Sequence, residues 1–173
     1  MTTTAALPFT LRRSSDVVRS LEVTSTAETI DGLLRLEEDR LVVQWRVRRE
    51  ISHVGLEIRT DEELEPVREA VLPLDALAGA AVRQQGWGWF RRTQLTLTAA
   101  DLRAFEDVAG AAGLRLAHPA TLELAIPRAE QLTAREFAAE LNVRLAEHAL
   151  PEAARDRQRL SPSSHAQSQH HEG

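Results

Sequence analysis

The residue types best able to do chemistry in this chain fall in one short run, Gly86-Trp87-Gly88-Trp89-Phe90-Arg91-Arg92. Tryptophan and arginine dominate the energetic centres of binding surfaces, because a large ring and a planar guanidinium bring area and directed hydrogen bonds together. Such a run offers a docking tip for another protein, or an aromatic and cationic foot on a membrane surface. Its plain structural alternative is a bend in which the glycines turn the chain and one indole folds inward. Neighbouring strand residues point to opposite faces, so the aromatics cannot all be inside. At least one ring is expected to meet solvent.

Arg46 and Arg48 form a second group, two residues apart and therefore on one face of a strand. Their forks suit phosphate or carboxylate, while cross-strand pairing with Glu37, Glu57 or Glu69 is the competing use. Catalytic constellations are weaker. Ser52 and His53 are a hydroxyl beside a base, but as strand neighbours they diverge. His165, His170 and His171 lie in a polar tail that lacks the supporting groups of a built metal site.

Composition removes further classes. All 21 basic residues are arginine, so a phosphate loop that needs lysine and a Schiff-base nucleophile are both excluded. The absence of cysteine removes disulfides and thiolate chemistry. A net charge of −5 argues against broad binding to nucleic acid, whose affinity comes from neutralising many phosphates. Neither a cofactor nor a metal is expected, and the chain does not read as an enzyme. No apolar run approaches the length of a membrane span, and the N-terminus lacks the order of a secretory signal, so a cytoplasmic location is expected.

The elements that must position these groups are mostly strands. Residues 1–16 show no periodicity and are expected to form a mobile arm, residues 17–150 one domain, and residues 151–173 a disordered polar tail. Val17 to Val23 reads as a short leading strand. Leu34 and Leu36 alternate with charged residues, Glu38-Asp39 makes a turn, and Leu41, Val43, Trp45 and Val47 then share one face. Further strands are expected from Ser52 to Arg59, with Val54, Leu56 and Ile58 inward, from Val67 to Leu74, and from Ala80 to Gln84. Others should run through Leu95 and Leu97 and from Leu122 to Ile126. Leu102 and Phe105 suit a helical turn. A closing helix from Leu132 to Ala149 carries Phe137, Leu141 and Leu145 on one stripe, with Thr133 and Glu136 spaced as a capping box.

The expected fold is therefore β-rich α+β: a bent antiparallel sheet or small barrel of six or seven strands closed by a C-terminal helix. Asp31 to Leu41 reads D-G-x-L-x-L-E-x-D-x-L, Ala70 to Leu74 reads A-V-L-P-L, Gly88 to Phe90 precedes alternating leucines, and Leu122 to Ile126 reads L-E-L-x-I before the helix. On these motifs the stretch from about Ile30 to His148 resembles the bacterial PH-like domains of the pleckstrin-homology superfold. Lipid-binding members carry lysine and arginine in the turn between the first two strands, whereas the corresponding turn here is Glu38-Asp39. The resemblance implies a non-catalytic platform. Its expected partner is another protein or a second copy of itself, bound through Trp87, Trp89, Phe90, Arg91, Arg92, Arg46 and Arg48. Anionic membrane lipid and an enzyme of unrecognised type are the alternatives.

Overall fold

Alternation of apolar and polar residues builds eight antiparallel strands among the described residues. The computed structural model describes residues 5–19, 22–54, 58–87, 91–110, 114, 116 and 118–160, with residues 19, 22, 110 and 151–160 described as backbone alone. Strands β1 (Ala5–Arg19), β2 (Glu22–Leu36) and β3 (Arg40–Val54) pair in sequence order, and β3 then pairs with two shorter strands. These are β4 (Ile58–Leu64) along its far end and β5 (Arg68–Pro73) along its near end. A second sheet holds β6 (Leu77–Gln85), β7 (Arg92–Ala99) and β8 (Thr121–Ile126). Between β7 and β8 lies the short helix α1 (Glu106–Gly110), and α2 (Gln131–Leu160) follows β8.

Register decides what the core receives. Leu7, Leu34, Val43 and Ala70 stand opposite one another across four strands, and so do Leu36, Leu41 and Leu72. All are buried in one cluster with Leu95 and Leu97 of β7 and Leu122 and Leu124 of β8. Gly32 sits between Phe9 and Trp45 in the same register. A methyl group there would meet the Phe9 ring and come within 2.7 Å of the Gln44 carbonyl oxygen, so glycine is what lets the ring lie flat across the strand.

Helix α2 closes this core with Ala134, Phe137, Ala138 and Leu141, spaced three and four apart. Two polar ties fix its position. The Asn142 side chain accepts from the Ala80 N–H and donates to the Ala80 carbonyl, each at 2.9 Å, so it satisfies the open edge of β6 as a neighbouring strand would. Arg144 donates to the Glu37 carbonyl at 3.2 Å and to Glu140 at 2.8 Å, which binds the helix to the turn between β2 and β3. Arg144 is thus a structural anchor rather than surface decoration.

Several expectations are corrected. The supposed arm is β1 from Ala5 onward, with Leu7 and Phe9 fully buried, because β2 supplies a ladder for all fifteen of its residues. Its alternation is easily missed, since Ala6, Pro8 and Thr10 occupy the outward positions, and Pro8 is tolerated because β1 is an edge strand. Val17 and Val23 belong to two strands rather than one. The Glu38-Asp39 turn consequently joins the second strand to the third, and the turn between the first two strands lies outside the described residues. The run from Ser52 to Arg59 is not one strand: β3 ends at Val54 and β4 begins at Ile58, both exposed, and Leu56 lies outside the described residues.

The six or seven strands expected become eight, in two separate ladders rather than one bent sheet or closed barrel. Helix α2 begins at Gln131 after a 3-10 turn at Arg128–Glu130, two residues before Thr133, so the capping box does not form. Pro127, with its φ of −53°, sets the direction of that turn instead. The helix runs on to Leu160 through what was expected to be tail. In the segment around α1, Phe105 and Val108 are buried while Leu102 is exposed.

Candidate binding site at the β6–β7 hairpin

Strands β6 and β7 pair out to Gln85 opposite Arg92, and the connection between them contains the aromatic run. Gly86 opens it with φ of 96°, a left-handed conformation that a side chain would strain. Trp87 follows and is 90% exposed. Trp89 and Phe90 lie outside the described residues. Arg91 and Arg92 resume the chain on the surface, and neither makes an ion pair among the described residues.

Beneath this hairpin is a cavity of about 340 Å³ where the start of α2 crosses the end of the second sheet. Gln84, Arg91 and Thr93 line it from the hairpin, and Arg128, Gln131 and Arg135 line it from the 3-10 turn and the first turns of α2. A second cavity, of about 380 Å³, shares Thr93 and reaches Arg92, Arg12 of β1 and Glu123 of β8. Arg91 and Arg92 are legible in the sequence as candidate binding residues, whereas Arg128, Gln131, Arg135, Gln84 and Thr93 are not expected from it. A signal existed, since Arg128, Gln131 and Arg135 stand three and four apart and so share a helical face.

Arg46 and Arg48 line neither cavity. Both are exposed on the outer face of the first sheet; Arg48 lies 3.7 Å from Glu62, and Arg46 makes no ion pair among the described residues. The glutamates considered as their partners are otherwise engaged. Glu37 pairs with Arg35 and Arg40, and Glu69 with Arg35. Glu57 lies outside the described residues. The Arg40 guanidinium titrates above its ordinary range chiefly because of its hydrogen bond to Glu37, and Arg49 does so chiefly because of its bond to Glu28.

Ser52 and His53 turn to different neighbours, Thr60 at 3.4 Å and Thr24 at 3.3 Å, so they do not face each other. Among the described residues no group of three or more histidine, aspartate or glutamate side chains could hold a metal ion. His165, His170 and His171 are outside that set. No described helix is long and apolar enough to cross a membrane. No protein-family model, curated protein or solved structure matches this chain.

Proposed function

We propose that this chain is a non-catalytic binding module of PH-like type that docks a partner protein, or a second copy of itself, through the β6–β7 hairpin. The observation that carries the reading is Trp87, an indole left 90% exposed at the end of an otherwise well-packed sheet. Large aromatic surface costs free energy in water and is recovered when a partner covers it. The succession of a first sheet, a three-stranded second sheet and a closing helix supports the PH-like assignment. Arg91 and Arg92 beside the ring supply orientation and selectivity toward an acidic partner surface.

Light scattering after size exclusion, run across a concentration series, tests the self-association form. Trp87→Ala is expected to shift the assembly toward monomer while leaving the thermal midpoint within a few degrees, as for other surface substitutions. A monomer at every concentration that also fails to retain any acidic-surfaced protein through Trp87 would remove the reading. Anionic membrane is the second reading, favoured by the arginines next to the exposed indole. Co-sedimentation with phosphatidylserine vesicles separates it from protein docking.

A further inference from the structure

The cavity under the hairpin gathers three arginines in one place. Outside it Arg35, Arg40, Arg48, Arg49, Arg59, Arg68 and Arg144 each stand within 4.0 Å of a carboxylate, while Arg46 and Arg92 make no ion pair among the described residues. Acidic residues outnumber basic ones by 26 to 21 over the chain, so a carboxylate partner is easy to supply. Yet Arg91, Arg128 and Arg135 come from three separate elements to one cavity, and among the described residues no carboxylate lines it. None of the three makes an ion pair among the described residues. Gathering like charges without a counter-charge is unfavourable unless something else supplies the negative charge.

Two further observations point to what that is. Thr93 is only 5% exposed, lines the cavity, and makes no side-chain hydrogen bond among the described residues. Its hydroxyl is therefore free to exchange water for a ligand oxygen. The first turn of α2, at the other wall, contains no acidic residue of its own, and Glu130, immediately before it, does not line the cavity. Gln84 and Gln131 add carboxamide donors.

We infer that this cavity is a binding site for a small multiply charged anion of the phosphoryl class. Three guanidinium forks exceed what one carboxylate can accept, whereas a phosphate or diphosphate presents several oxygens and a matching charge. The volume lies at the small end of the range of about 300–1,000 Å³ typical of ligand sites, enough for a phosphoryl group and short of a large organic ligand. The ligand is either a soluble phosphate or the phosphomonoester headgroup of a lipid, since both offer the same oxygens. The site shares Arg91 with the proposed docking hairpin but does not include Trp87, and it stands whether or not that docking occurs.

Isothermal titration of the full chain with pyrophosphate, at constant ionic strength, tests the proposal. Saturable binding is expected, and Arg128→Gln combined with Arg135→Gln should weaken it at least tenfold. Both arginines are exposed, so circular dichroism should be unchanged. Thr93→Val, which keeps the shape and removes the hydroxyl, should weaken binding several-fold and serves if the double variant is poorly folded. Trp87→Ala and Arg46→Gln, the latter removing an unpaired arginine away from the cavity, should leave affinity unchanged. No binding at millimolar pyrophosphate would overturn the inference. So would an equal loss from Arg46→Gln, which would mean diffuse attraction rather than a site. Vesicles identify the source: preference for phosphatidic acid over phosphatidylserine, competed by pyrophosphate, assigns the headgroup, and pyrophosphate binding without that preference assigns a soluble phosphate.

Discussion

Strands β1, β2 and β3 pass through two environments without a break in their hydrogen-bonded ladder. In the near half, Leu7, Phe9, Ile30, Leu34, Val43 and Trp45 are buried beneath the second sheet and α2. In the far half, the same strands and β4 carry Val18 at 69% exposure and Ile58 at 78%. Register even sets Val18, Val23, Val54 and Ile58 side by side in one apolar row. The backbone pairing is continuous, so strand formation does not distinguish the halves. What differs is the second layer, and burial follows the layer rather than the local sequence. The far half is held by its ladder and by ion pairs, in which Arg49 joins Glu28 at 2.8 Å and Glu65 at 2.7 Å, with Arg68 also on Glu65 at 2.8 Å.

The largest effect should come where the layer is removed from the near half. Leu141→Ala, at a fully buried position of α2, is expected to cost about 2–5 kcal/mol in a denaturant titration. A loss below about 1 kcal/mol would mean that α2 is not the lid of the core. Next comes Gly32→Ala, where the added methyl meets Phe9 and the Gln44 carbonyl; overpacking of this kind costs about 1–3 kcal/mol. Restoration by a second change, Phe9→Leu, would tie the cost to that contact. Asn142→Ala frees the edge of β6 and should cost about 1 kcal/mol, with faster hydrogen exchange at the Ala80 amide as the sharper readout.

The far half should respond weakly. Arg49→Ala is expected to cost no more than about 1 kcal/mol, less at high salt, since its partners are partly solvated and the pairing is screened. Ile58→Thr should stay within about 0.5 kcal/mol of the parent. A loss comparable to that of Leu141→Ala would break the comparison, because it would show that another chain covers the far half in solution.

Much of the near half could be read from sequence. Leu41, Val43, Trp45 and Val47 announce a one-sided strand, and Phe137, Ala138 and Leu141 a one-sided helix, because both periods are properties of the backbone itself. The candidate site was only half legible. Gly86 to Arg92 stood out by residue type, and the alternation argument required that at least one of its rings meet solvent, without saying that it would be Trp87. Arg128 and Arg135 did not stand out, since an arginine on a helix surface looks the same whether a carboxylate or an open cavity faces it.

By itself the sequence determined the periodicities and the exclusion of lysine- and cysteine-dependent chemistry. Only the tertiary structure decided that residues 5–19 form an edge strand, because their partner, β2, confers the ladder that a segment of such weak alternation cannot supply alone. It also decided that Val54 and Ile58 face solvent, since no second layer reaches them, and that Arg91 meets Arg128 and Arg135 across a gap of some forty positions in the chain. Local preference acts over a few residues, whereas burial and convergence depend on which surfaces the whole chain brings together.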